Sequence, residues 1–137
     1  MDLRLELIVL PVTDVDRAKE FYVEQCGFNL DVDFSPNEHF RVVQLTPPGS
    51  ACSITFGIGV SDPSIAGMYK GMHLCVEDIV AARAELVGRG LAISEPYHFG
   101  AEGRTDGLHP TREKYGTFCD FTDPDGNVWM VQEVTDN

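Results

Sequence analysis

The chain has 137 residues, 43% hydrophobic and 23% charged, which suits one compact domain or two small modules sharing a core. Its formal net charge of −12 argues against nucleic acid or an anionic membrane as partner, since both are held by basic patches. No apolar run approaches the roughly 20 residues of a membrane span, and no signal-peptide pattern precedes the first strand.

Residues 3–12 begin by alternating and become a continuous apolar run, as a central strand does. Thr13 and Asp14 then offer a helix N-cap, with the helix behind it over residues 17–25. Val15, Ala18, Phe21, Tyr22 and Cys26 fall on one face of that helix, which Gly27 stops. Strands follow over residues 28–34, 40–45 and 52–58, separated by turn-rich Ser35-Pro36-Asn37 and Pro47-Pro48-Gly49-Ser50. The first half therefore reads βαβββ. Residues 59–68 are a linker of small and turn-forming residues.

The pattern then repeats at a constant offset of 64 residues. Leu10/Leu74, Val12/Val76, Asp14/Asp78, Val15/Ile79 and Ala18/Ala82 agree in type, so each copy is a strand, an Asp cap and an amphipathic helix. Gly27 and Gly90 close the two helices. The second copy continues through residues 91–94 and a long excursion over 95–115, and ends in a hairpin over 118–133. In that hairpin Pro124 fixes the first corner and Gly126 supplies the positive φ that closes the Asp123-Pro124-Asp125-Gly126-Asn127 turn. Cys26, Cys52, Cys75 and Cys119 form no CxxC pair, which suits reduced thiols in a cytoplasmic protein.

The paired modules, the two strand–Asp–helix entries and the closing DPDGN hairpin resemble the vicinal-oxygen-chelate superfamily, the group of glyoxalase I, bleomycin-resistance proteins and extradiol dioxygenases. The resemblance implies an α+β fold. Paired βαβββ modules, about 3–60 and 70–134 of a single domain over 1–137, would form a cupped mixed β-sheet with the helices on its convex face. It also implies a homodimer. Enzymes of the superfamily hold a divalent metal with two side chains per module, and the matching positions here are Leu7, Gly71 and Met130, with the remaining one on the strand over 52–58. None supplies the carboxylate or imidazole that such a metal needs, so no metal or other cofactor is expected.

Strand alternation assigns the cavity-facing residues. Leu7, His73, Phe118, Asp120, Met130 and Gln132 face inward, and Phe56 on the fourth strand joins them as a ligand-binding candidate. His73 is either a hydrogen-bonding anchor and general base or a half-buried histidine satisfied by a backbone carbonyl. Asp120 either pairs with His73 or bonds a loop amide. Met130 reads as pocket packing, and Arg41 reads as a cross-strand partner of Asp31 or Asp33. The excursion carries His98, Arg104, His109, Arg112 and Lys114, and is expected to be a lid or a dimer arm. His39, His98 and His109 match no metal-binding spacing.

The first functional reading is a metal-free binding protein of the bleomycin-resistance type, holding a small molecule, aromatic molecules included, in an apolar cavity. The second is a glyoxalase-like lyase or isomerase, or a dioxygenase, that uses His73 and Asp120 as an acid–base pair or a relocated divalent metal. A third is a module for protein–protein contact.

Overall fold

The computed structural model describes residues 1–135; the last two positions of the expected 1–137 domain lie outside the described residues. The fold is α+β, with two mixed sheets and few helices. The chain divides into two compact units. The first is Met1–Tyr69 joined by the hairpin tip Asp123–Asn127, and the second is Lys70–Thr122 with the chain from Val128 onward.

In the first unit, β1 (Leu7–Val9), β2 (Asn29–Asn37), β3 (Phe40–Thr46) and β4 (Ser53–Ile58) form a sheet in the order β1-β4-β3-β2. β1 runs parallel to β4 and the other pairs are antiparallel. The strand expected over residues 3–12 shrinks to three residues, because among the described residues it pairs with β4 alone and Pro11 has no N–H to extend the ladder. α1 (Val15–Glu20) starts where the Asp14 carboxylate accepts the Arg17 N–H at 3.0 Å. It passes into a wider turn over Phe21–Gln25, in which the Cys26 N–H reaches the Phe21 carbonyl. The helix face then closes on β4. Tyr22 stacks on Phe28 at 5.5 Å and leans on Phe56 at 6.1 Å, inside a core that includes Leu10, Val43, Leu45 and Ile54.

The hairpin tip completes this unit through hydrogen bonds. The Tyr22 hydroxyl donates to Asp123 Oδ2 at 2.7 Å, and Asp123 also accepts from the Asp125 and Asn127 amides and from Asn127 Nδ2. Asn127 Oδ1 accepts the Tyr69 N–H at 3.0 Å. Gly126, at φ +96°, takes the left-handed corner that the DPDGN turn requires. The five-residue motif is therefore both a turn and a set of buried polar partners for a tyrosine more than a hundred residues upstream.

In the second unit, β5 (Met72–Val76), α2 (Ile79–Gly88), β6 (Tyr97–Gly100), β7 (Gly103–Asp106), β8 (Thr117–Thr122) and β9 (Val128–Glu133) give a five-stranded sheet in the order β5-β9-β8-β6-β7. β5 is parallel to β9, as β1 is to β4, and α2 packs on β8 and β9 behind its Asp78 cap. Residues 91–94 form no strand; the next strand is β6, which lies inside the expected excursion and pairs with β8. β7 is an added edge strand, so the first part of the excursion is a hairpin of the sheet.

The rest of the excursion is fastened down. Arg112 makes a two-pronged ion pair with Glu133, whose side chain is fully buried and also accepts the Ile79 N–H at 2.9 Å at the start of α2. The Tyr115 N–H donates to the Glu133 carbonyl, the His109 N–H to Thr117 Oγ1, and the Thr135 hydroxyl to the Arg112 carbonyl. Arg112 and Tyr115 hold positive φ at 51° and 66°, which non-glycine residues adopt only when the surroundings dictate it. These bonds tie residues 109–115 into their own unit, which does not suit the expected lid.

Candidate functional site

The second sheet buries one face under α2 and leaves the other open. Cys119, Phe121, Trp129 and Val131 go to the helix side, where Phe121 and Trp129 stack with rings 3° from parallel. Strand alternation sends their neighbours to the open face. There the ladder sets His73 opposite Met130 and Met130 opposite Asp120, with Gln132, Phe118 and Tyr97 forming the next row. The structure thus gathers five of the expected residues, His73, Phe118, Asp120, Met130 and Gln132, on one surface.

The other two expected residues lie elsewhere. Leu7 stands beside the buried Ser53, on the face of the first sheet that Ser53 and Thr55 share. Phe56 is fully buried on the opposite face of that sheet, against Tyr22, and lines no open surface. Its alternation partners Ile54 and Val43 are core residues too, so β4 register decides its side.

The expected pair of His73 and Asp120 is not made. Strand β9 lies between them, which separates their backbones by about 10 Å. His73 Nδ1 instead sits 2.8 Å from the Gly71 carbonyl. Asp120 Oδ2 accepts from the Tyr97 hydroxyl at 3.1 Å and faces Arg104 at 3.4 Å. Its backbone is held as well: its N–H donates to Ser94 Oγ and its carbonyl accepts the Ser94 N–H.

Tyr97, Phe99 and Arg104 are site residues that sequence reasoning left in the excursion. Tyr97 stacks on Phe118, with ring centres 5.9 Å apart and planes 21° from parallel, and Phe99 meets both rings edge-on. The Arg104 guanidinium lies 3.6 Å above the Tyr97 ring centre, a cation–π contact. Burial, with the Asp120 charge beside it, pushes the Tyr97 phenol up to about 12, so it stays protonated and donates its hydrogen bond. Burial also pushes the Cys119 thiol, behind Asp120, up to about 11, which keeps it from acting as a thiolate. The sequence signal was available in Tyr97 and Phe99 at period two, closed by a Gly-containing tip.

Arg41 follows the plainer expectation. It forks onto both Asp33 oxygens at 3.0 Å and reaches Asp16 at 2.7 Å. With Lys19 it holds the Asp33 carboxyl at about 2. No group of three histidine, cysteine or acidic residues positioned to hold a metal occurs among the described residues, and His39 belongs to a different unit from His98 and His109.

The ladders also give the counterpart of Met130 in the first unit. The 64-residue offset pairs Val9 with His73. Val9 stands opposite Thr55 and His73 opposite Met130, so Thr55 is the counterpart of Met130. The first unit therefore offers Leu7 and Thr55, and the second Gly71 and Met130. The Thr55 hydroxyl is buried with no hydrogen-bond partner among the described residues, yet a neutral hydroxyl is a poor substitute for a carboxylate. A thioether suits soft Cu(I), and leucine and glycine supply no side-chain donor. These residues do not fit a divalent metal.

Known proteins place the chain. TnmS3, an antibiotic binding protein from Streptomyces sp. CB03234, is 30% identical with a TM-score of 0.74, over 98% of each chain. A glyoxalase/bleomycin resistance protein from the same strain is 32% identical with a TM-score of 0.70, over 95% of this chain and all of the other. Protein YetH of Bacillus subtilis (strain 168) is 25% identical across 92% of this chain and 94% of its own. The sequence pattern of one family spans residues 4–131, nearly the whole molecule, and with these likenesses it settles the lineage: the chain belongs to the Glyoxalase/Bleomycin resistance protein/Dioxygenase superfamily.

Proposed function

We propose that this chain is a small-molecule-binding member of its superfamily that receives a small aromatic molecule on the open face of the second sheet, without the family metal. The observation that carries the reading is the cluster of Tyr97, Phe99 and Phe118 set beside Asp120 and Arg104. Stacked rings supply a flat, sequence-tolerant contact for a planar ligand, and a few polar groups at their rim orient it. Met130 and Gln132 extend the surface, with His73 beyond them as a hydrogen-bonding anchor. That a relative 30% identical is an antibiotic binding protein supports the same class of function. A lyase or isomerase built on His73 and Asp120 draws no support from their separation. A reducing cytoplasm suits the four free thiols. A homodimer would cover part of β2, which exposes Leu30, Val32 and Phe34; sedimentation velocity tests that assembly.

Fluorescence titration of planar aromatic compounds against the wild type and Phe118→Ala tests the reading. Binding that weakens about tenfold in Phe118→Ala supports it, a tenfold change being about 1.4 kcal/mol and within what an aromatic contact and its buried area supply. Equal binding to both proteins would overturn it.

A further inference from the structure

One face of the Tyr97 ring is covered by an arginine from the edge of the sheet. A guanidinium is planar and weakly hydrated, so at 3.6 Å from the ring centre it occupies the place where a flat ligand would stack. It also reaches Asp120, which makes it an occupant with two handholds, one π face and one carboxylate. Both holds are weak. The ion pair is a single contact of 3.4 Å, with Arg104 53% exposed, and such pairs contribute little in water. β7 is four residues long and among the described residues pairs with β6 alone, which itself meets β8 at two register positions.

We infer that Arg104 is a resident plug of the aromatic site, and that its natural competitor is a planar organic cation which takes over both the Tyr97 face and the Asp120 carboxylate. The inference rests on the binding function proposed above and adds the charge of the ligand. A neutral ring that displaced Arg104 would leave Asp120 with only the Tyr97 hydroxyl as side-chain partner, whereas a cation restores the lost charge. The net charge of −12 also concentrates cations near the protein and disfavours anions. Arg104 thereby sets both affinity and selectivity, since every ligand must first compete with it.

The test uses the full chain and two planar probes, cationic proflavine and neutral acridone, titrated by fluorescence at low salt. Arg104→Ala is expected to bind proflavine about 5- to 10-fold more tightly than the wild type, the scale of one lost cation–π competitor, and acridone with a smaller gain. Asp120→Asn in the Arg104→Ala background is expected to remove the proflavine gain and leave acridone unchanged. Arg104→Lys keeps the charge without the flat fork and should fall between. Unchanged or weaker proflavine binding in Arg104→Ala overturns the inference, as does an equal gain for both probes. Those results leave the binding function standing as long as Phe118→Ala still weakens acridone. Loss of that Phe118 dependence would overturn the binding function instead.

Discussion

Phe34 of the first unit and Tyr97 of the second hold the same place in their sheets. Phe34 stands opposite Val42 and Val42 opposite Gly57, while Tyr97 stands opposite Phe118 and Phe118 opposite Gln132. Yet Phe34 is 57% exposed and Tyr97 only 2%. The scaffold is common to both, so the difference comes from what lies beyond the aromatic strand. β2 is the edge of its sheet, whereas β6 is followed by β7, whose Arg104 lies across the ring. One added hairpin turns a position that is a bare surface aromatic in one repeat into a desolvated, hydrogen-bonded tyrosine in the other. The same added segment carries Arg112 to Glu133, so it furnishes both the polar site and the anchor that holds it.

The hardest test of that comparison removes the anchor. Arg112→Ala strips the cation from a carboxylate that is fully buried, and breaking such a pair costs about 3–5 kcal/mol. Urea denaturation would measure it, and a loss below about 1 kcal/mol would mean that the segment is not held through Glu133. The sign with pH follows. Arg112 holds the Glu133 carboxyl below the usual carboxylate range, ahead of a smaller opposing effect of burial. Its folded pKa is thus depressed, so its contribution is present above the ordinary carboxylate range and is lost as acid protonates it. Without Arg112, burial would push that pKa upward and the acid dependence of this group should weaken or reverse.

In the first unit the corresponding fastening is the hairpin tip. Tyr22→Phe removes one donor from Asp123 and leaves three, which should cost about 1–3 kcal/mol by the same denaturation measurement. A neutral result would show that the Asp123 network stands without its tyrosine and that only the ring matters to the core.

How much of this could be read in advance differs between the two units for a physical reason. Asp14 and Asp78 cap their helices as expected, because a cap is a local event between a side chain and amides two or three residues on. The alternation that put Phe118 and Asp120 on one face and Cys119 and Phe121 on the other is local too. Phe56 failed because β4 is entirely buried over Ser53–Phe56, so hydrophobicity alone could not say which face each residue took. Arg104 and Tyr97 failed because their strands are four residues long and are stabilised by partners far along the chain. Alternation puts Asp120 and His73 on one face and so leaves their pairing open, but the intervening β9 that separates them appears only once the strand order is known.

Tyr97→Phe probes the covered aromatic itself. At neutral pH it removes one hydrogen bond to Asp120, about 0.5–1.5 kcal/mol. Its alkaline signature is more specific. The phenol ordinarily titrates at 10.0 and here at about 12, so its folded pKa is raised. That contribution is complete below pH 10 and is lost as pH climbs towards 12, because the unfolded chain releases the proton first. Stability measured from pH 8 upward should therefore fall less steeply in Tyr97→Phe than in the wild type. Identical slopes would show that Tyr97 titrates as an ordinary surface phenol.

The smallest effect belongs to the uncovered aromatic. Phe34→Ser removes a ring that is mostly in water, and monomer stability should stay within about 0.5 kcal/mol of the wild type. The same change at Tyr97 would empty a stacked, hydrogen-bonded site and should cost several times more, so the two substitutions form a matched pair at one ladder position. If β2 meets a second copy of the chain, the Phe34 variant should still unfold like the wild type at high dilution, and only its self-association should weaken. A large loss of monomer stability in Phe34→Ser would mean that its ring is buried as Tyr97 is. The added hairpin would then no longer account for the difference between the units.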